Sequence, residues 1–309
     1  MRYRVFLYPG QGSQALGMGV SVRDAYPEAA AVFEQASELA GYDMAELCSS
    51  GPLEKLSRTL YTQPALFTVE AAITDVLRAK GVEADAVAGQ SLGEFSAWYT
   101  AGVYGFGDGF RLVSERGRLM DGADPEGRGT MAAVIGLDPD VVRDICSSIK
   151  GQVVVANYNS PQQQVISGEK AAVEKACAAL LEKGAKRVLP IKVSGAFHSP
   201  LMETAGERFA VAIDGVSLSD ARIPVFANIH ASPVTRAGDI RSCMVRQLTG
   251  SVRWTETIEA IVKEGQRQGA DIELFEIGPG NVLSGLVKRI AEGVAVRSIS
   301  NVSGIEEVA

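Results

Sequence analysis

Residues 84–98 read Ala84-Asp85-Ala86-Val87-Ala88-Gly89-Gln90-Ser91-Leu92-Gly93-Glu94-Phe95-Ser96-Ala97-Trp98. A short, largely apolar run over 84–88 predicts a buried strand, and the segment from Leu92 to Ala101 predicts a helix. Between them Gly89-x-Ser91-x-Gly93 fits a sharp strand-to-helix turn, where the glycines relieve crowding and the serine oxygen stands exposed above the sheet edge. Such a serine is a nucleophile candidate, and the helix N-terminus beside it favours developing negative charge. The competing reading is a serine that only caps the helix. Glu94, three residues on, has the spacing of a capping-box partner.

Outward from this unit the same strand–helix rhythm continues. Val5 to Tyr8 predicts a strand that runs into the glycine-rich turn Pro9-Gly10-Gln11-Gly12-Ser13-Gln14. Helices are expected over 26–40, from about Gln63-Pro64 to Arg78 with the proline in the first turn, and from Phe106 to Met120. The polar Gly/Pro stretch 121–129, DGADPEGRG, marks a seam. Beyond it come a strand (130–137), a helix (140–149), strands (153–157 and 164–167), a helix (170–183) and a strand (187–191). That β-α-β-β-α-β order is the split βαβ or ferredoxin-like one. Afterwards a strand (224–227), helices (240–248 and 255–268), a strand (272–277) and a helix (282–290) resume the first pattern. Continuous apolar strands alternating with helices imply a mostly parallel sheet covered on both faces. The expectation is an α/β fold: a hydrolase-like domain over 1–126 and 196–309, interrupted by a ferredoxin-like small domain over 127–195.

Composition narrows the function classes. Of 309 residues, 30 are Lys or Arg and 37 Asp or Glu, for a net charge of -7, which argues against a nucleic-acid binder. Cys48, Cys146, Cys177 and Cys243 form no CxxC pair, so structural zinc and a redox dithiol are not expected and buried free thiols in a cytoplasmic protein are. The first residues have too short an apolar run for a signal peptide, and no stretch approaches the roughly 18 apolar residues of a membrane span.

The chain holds only two histidines, His198 and His230. His198 lies in the loop sequence Ser194-Gly195-Ala196-Phe197-His198-Ser199-Pro200, a placement that suits a general base better than a core strand does. His230, at a strand exit, suits a surface or core-edge role. Carboxylates between Ser91 and His198 stand in no strand-end motif, so a two-residue Ser–His arrangement, its imidazole oriented by a backbone carbonyl, fits better than a triad. Arg116, on a helix among apolar residues, reads either as a partner for a substrate carboxylate or as half of an ordinary salt bridge.

Several stretches together carry a resemblance: PGQGSQALGMG (9–19), TQPALF (62–67), GQSLGEFSAWYTAG (89–102), SERGRLM (114–120), ANYNSPQQQVISG (156–168), GAFHSPLM (195–202), VRQLTGSVRW (245–254) and EIGPGNVLSGLVKRI (276–290). In this order they are similar to malonyl-CoA:acyl-carrier-protein transacylases, including the discrete acyltransferases that serve polyketide synthases, and they span nearly the whole chain. The resemblance implies that Ser91 is the nucleophile, His198 its base, and the N–H groups of Gln11 and Leu92 the oxyanion hole. It implies that the Gln247 carbonyl orients the imidazole and that Arg116 pairs with the malonyl carboxylate. Gln63, Gln90, Met120, Met131, Asn159 and Phe197 would line the pocket.

Two positions bear on selectivity. Phe197 resembles the bulky residue of malonyl-selective members. Gln90 stands where many malonyl transferases have histidine, and in polyketide acyltransferases glutamine there often accompanies methylmalonyl selection. The implied activity is malonyl transfer from malonyl-CoA to the phosphopantetheine thiol of an acyl carrier protein, through a malonyl-serine, in fatty-acid or polyketide synthesis. The alternatives are an acyl hydrolase and transfer of methylmalonyl or another acyl group. No metal or tightly bound cofactor, no nucleic acid and no membrane is implied, and the protein is expected to act as a monomer. Lys186 and Arg187 are candidates for a basic rim facing CoA phosphates.

Overall fold

A computed structural model describes residues 2–309. Strand β1 (Arg2–Tyr8) leads through helices α1 (Val20–Ala25), α2 (Pro27–Ala40), α3 (Met44–Ser50), α4 (Leu53–Leu56) and α5 (Thr59–Ala79) to β2 (Ala86–Gly89). Helices α6 (Gly93–Thr100) and α7 (Phe106–Asp121) follow. The central segment is β3 (Gly129–Ile135), α8 (Pro139–Ser148), β4 (Val153–Ser160), β5 (Gln163–Glu169), α9 (Lys170–Glu182) and β6 (Arg187–Ile191). The chain returns through α10 (Glu203–Asp214), β7 (Val225–Ala227), β8 (Ser232–Val234), α11 (Ala237–Gln247) and α12 (Trp254–Arg267). It ends with β9 (Asp271–Ile277), α13 (Val282–Ile290), β10 (Val296–Ile299) and α14 (Val302–Glu306).

The strands form two sheets. In the larger, ordered β10-β9-β1-β2-β7-β8, the pairings are parallel except β7 with β8. The smaller, ordered β4-β5-β3-β6, is antiparallel throughout. The molecule is thus a mixed α/β fold with a mostly parallel sheet and a separate antiparallel one.

Both faces of the large sheet are buried, which is why its strands are apolar without alternation. On β1, Phe6 and Tyr8 join the core beneath α5, α6 and α7, whereas Tyr3, Val5 and Leu7 join the core beneath α12 and α13. In the small sheet, Ala132, Val134, Val155 and Ile166 pack under α8 and α9. The opposite face turns Met131, Ala133 and Val165 toward the large sheet's loops. The small sheet is tied to the loop between α11 and α12, where Tyr158 N–H donates to Val252 O (2.9 Å) and Val252 N–H to Ala156 O (2.8 Å). Alongside, Ser251 Oγ donates to Val155 O at 2.7 Å.

One helix starts elsewhere than expected. α5 begins at Thr59, so Pro64 lies inside it instead of in its first turn. The Arg58 carbonyl starts the helix, accepting from the N–H groups of Tyr61 and Thr62, both at 2.8 Å. Proline then costs one main-chain bond, to Leu60, within a helix whose burial supplies the stability.

Tyr8 of β1 is registered against Gly89 of β2, so the turns that leave these neighbours lie side by side. A Cβ at Gly10 would meet Gln90 O at 2.5 Å, and one at Gly93 would run into the main-chain carbonyls of Tyr8 and Pro9. Backbone cannot swing aside as a side chain can. Gly93→Ala is therefore expected to destabilise the fold by about 3 kcal/mol or more, read from urea unfolding; a loss below about 1 kcal/mol would contradict the close packing of the two turns.

Candidate active site

The site stands at the carboxyl ends of β1, β2 and β7, adjacent parallel strands, where open α/β sheets bind ligands. Ser91 follows β2 with φ of 53°, the left-handed region that a non-glycine residue enters only when its surroundings hold it there. Asn228, one residue past β7, supplies that hold. Its Oδ1 accepts from Ser91 N–H at 2.8 Å and its Nδ2 donates to Gly89 O at 2.6 Å. The adjacent parallel strand thereby clamps both sides of the turn.

His198, in the loop after β6, also has a left-handed φ, 55°. Its Nδ1 lies 2.9 Å from Gln247 O and 3.2 Å from Gly250 O, and its Nε2 lies 2.7 Å from Ser91 Oγ. Two carbonyls can only accept, so Nδ1 carries the proton and Nε2 is left to accept from the serine hydroxyl. Burial, and secondarily the Arg116 charge, push the imidazole down to about 4, so the ring is neutral at physiological pH.

Arg116 is fully buried on α7. Its Nη2 donates to Ser91 Oγ at 3.1 Å and to Gln247 Oε1 at 2.8 Å, and its Nε reaches the same Oε1 at 3.2 Å. Its Cζ lies 5.4 Å from the Phe95 ring centroid. Its Nη1 is buried and has no hydrogen-bond partner among the described residues. Burial lowers its pKa to about 9, with Glu94 opposing, so the guanidinium is charged at neutral pH. Gln247, the last residue of α11, also donates from Nε2 to Ser91 O at 2.8 Å and to Glu94 Oε2. Glu94 Oε1 accepts from Asn228 N–H at 2.7 Å. Burial raises the Glu94 carboxyl to about 7, against these donors and Arg116, which favour its ionised form.

Ser91, His198 and Arg116 border a cleft of about 380 Å³ roofed by the small sheet. Gln11, Gln63, Gln90, Leu92, Met120, Met131, Asn159 and Phe197 all line it. Among the described residues, the main-chain N–H groups of Gln11 and Leu92 have no hydrogen-bond partner. Gln90 Nε2 donates to Asn159 Oδ1 at 2.8 Å, joining the serine turn to β4, and Gln63 Nε2 lies 3.3 Å from Met120 Sδ. Lys186 and Arg187 do not border the cleft. β6 carries them away from the Ile191 end, and the lysine at the cleft is Lys192.

Two further positions differ from the sequence reading. Glu94 does not cap α6, whose start has no side-chain cap, because its carboxylate turns inward to Asn228 and Gln247. Asn228 was not singled out; its signal was a buried amide at the exit of a short apolar strand, where only a partner across the sheet can satisfy it. His230 is exposed and lies 2.7 Å from Ser232 Oγ and 3.3 Å from Cys243 Sγ. A serine hydroxyl facing a bare imidazole nitrogen, with two free N–H groups and a guanidinium nearby, can attack an activated carbonyl and stabilise the resulting oxyanion.

The family model described as acyl transferase domain matches residues 5–276. A relative named malonyl CoA-acyl carrier protein transacylase, from Haemophilus influenzae, is 42% identical over 314 residues, covering 99% of each chain. The solved structure of a malonyl-transacylase in complex with its type II PKS acyl-carrier protein superimposes with a TM-score of 0.94 at 41% identity, covering 99% of this chain and 98% of that one. An acyl carrier protein S-malonyltransferase from Vibrio cholerae also gives a TM-score of 0.94, at 39% identity and 99% coverage of both chains. With a family model spanning most of its length and near-full-length relatives at about 40% identity, this chain belongs to the acyl transferase family.

Proposed function

We propose that this enzyme transfers a malonyl group from malonyl-CoA to the phosphopantetheine thiol of an acyl carrier protein, as its relatives' names indicate. One observation carries the choice of acyl group. Arg116 presents an unpartnered, buried Nη1 while its Nη2 reaches Ser91 Oγ. A carboxylate two carbons from the thioester carbonyl satisfies that donor in a charge-assisted pair, whereas acetyl leaves it unmet.

Ser91 Oγ gives its proton to His198 Nε2 as it attacks the thioester carbon. The carbonyl electron pair moves onto oxygen, which the N–H groups of Gln11 and Leu92 receive. Collapse breaks the C–S bond, and the leaving sulfur takes the proton from Nε2, giving malonyl-Ser91 and CoA. The carrier thiol then gives its proton to His198 and attacks the ester, and Ser91 recovers the proton as its C–O bond breaks. The Gln247 carbonyl holds Nδ1–H throughout. Pairing of the malonyl carboxylate with Arg116 offsets the positive charge that depresses His198, so the right substrate strengthens the base that acts on it. Met120, Met131 and Phe197 shape the acyl end of the cleft, and Gln63, Gln90 and Asn159 its polar wall.

The strand order β4-β5-β3-β6 around α8 and α9 supports reading residues 127–195 as a ferredoxin-like domain inserted in a hydrolase-like one over 1–126 and 196–309. Four free cysteines fit a reducing cytoplasm. Among the described residues, no helix is long and apolar enough to cross a membrane.

Intact-mass analysis with malonyl-, methylmalonyl- and acetyl-CoA tests the reading. Malonyl is expected to add to the wild type, to be absent from Ser91→Ala, and to pass to carrier protein; loss of the adduct to water with carrier present would instead identify a hydrolase. Arg116→Ala should lower kcat/KM for malonyl-CoA by about 10- to 100-fold with little loss for acetyl-CoA, and equal losses would remove Arg116 from acyl selection.

The pH profile supplies a separate check. The base works unprotonated, and a lowered pKa keeps it so further into acid. The acidic limb of kcat/KM, read in Glu94→Gln so that the Glu94 carboxyl near 7 does not titrate alongside His198, reports the free enzyme and should therefore lie below about pH 6 and not near the 6.5 of a free imidazole. A limb at or above 6.5 would contradict the buried, neutral His198.

A further inference from the structure

We propose that Glu94 is a positioning residue for acyl selection: its carboxylate fixes the orientation of the Gln247 amide, and that amide holds Arg116 so that Nη1 stays free for the substrate carboxylate. The proposal rests on the malonyl reading above and adds the group that sets its selectivity.

The argument is a donor and acceptor count. An ionised carboxylate can only accept, and both oxygens of Glu94 face donors: Oε1 the Asn228 N–H at 2.7 Å, Oε2 the Gln247 Nε2. With Nε2 committed there and to Ser91 O at 2.8 Å, Gln247 has only Oε1 to offer Arg116. That oxygen takes both Nε (3.2 Å) and Nη2 (2.8 Å) of the guanidinium. Two bonds from one edge of a planar fork fix its rotation, which leaves Nη2 within reach of Ser91 Oγ and Nη1 without a partner.

Turning the amide over would reverse every contact. Nε2 would face the N–H groups of Arg116, and Oε1 would face the Glu94 carboxylate and the Ser91 carbonyl. Glu94, Gln247 and Arg116 are all buried, so water does little to screen the mismatch among them. Of the groups that oppose this, Glu94 supplies the charged acceptor. A neutral amide at position 94 could present its own NH2 to Gln247 and accept the flipped form, while its oxygen still received the Asn228 N–H. Gln247 stands between Glu94 and Arg116, so the acidic residue acts on the arginine through an amide dipole as well as by its charge. The same carboxylate also backs Asn228, the clamp on the serine turn.

Glu94→Gln separates these roles. Initial loading rates at pH 8, where the wild-type carboxylate is ionised, are measured with malonyl-CoA and acetyl-CoA, together with melting curves. The expected result is a fall in malonyl kcat/KM of about tenfold or more, mainly through KM, and a much smaller fall for acetyl, so that the malonyl-to-acetyl ratio collapses. In the double variant with Arg116→Ala, the malonyl rate should be no lower than in Arg116→Ala alone, because Glu94 acts through that arginine. A folded Glu94→Gln protein that keeps the wild-type ratio would overturn the proposal. Should that variant not fold, Gln247→Met, which keeps the carbonyl facing His198, must show the same collapse, and an unchanged ratio there overturns it equally. A wild-type protein that loads malonyl and acetyl alike would instead overturn the substrate reading, and the Glu94 assignment with it.

Discussion

The pairing of Tyr8 with Gly89 is the constraint on which the site depends. It brings two parallel strands to an end at the same level, so the glycine-rich turn after β1 and the serine turn after β2 leave the sheet in contact. Parallel order makes this possible, since every strand points its carboxyl end to the same edge. Asn228 then arrives from the next strand, β7, at the height needed to clamp Ser91. The left-handed backbone at Ser91 is thus held from both neighbours, and it directs the hydroxyl toward His198.

A second principle is the use of acceptors without charge. Among the described residues no carboxylate touches the imidazole; two main-chain carbonyls fix its tautomer. The nearby carboxylate, Glu94, is kept behind the serine turn, where it orders amides. Among the described residues the positive charge of Arg116 therefore has no direct acidic partner at the cleft, and burial makes its unmet donor costly. The same guanidinium reaches Ser91 Oγ and depresses the His198 imidazole.

Much of this was legible in the sequence because it is local. The glycine–serine turn, the strand–helix order and the six-element central segment depend on periodicity and on turn residues, and they appear within a few residues of the expected bounds. The Ser91–His198 pairing was legible from the scarcity of histidines, but the arrival of Arg116 and Gln247 beside it was readable only through resemblance, since 131 positions separate those two. Asn228 and the inward turn of Glu94 were not read at all. Both express hydrogen bonds across the sheet, over more than 130 positions, and Glu94 carried a plausible local role that hid the distant one. Pro64 misled for a related reason: a local rule placed it at a helix start, whereas tertiary burial carries α5 through it. Short β8 and β10 have little pattern of their own and exist because the sheet edges accept them.

The tie between the small sheet and the loop from α11 to α12 has a mechanical side. Val252 exchanges main-chain bonds with Ala156 and Tyr158 of β4, and it follows Gly250 by two residues and Gln247 by five. The segment that anchors the roof is therefore the segment whose carbonyls cradle the imidazole. Gln90, bound to Asn159 on the same strand, couples the serine turn to that roof as well. The small sheet is thus tied by hydrogen bonds to both halves of the Ser91–His198 pair, so the roof and the reacting groups share one framework.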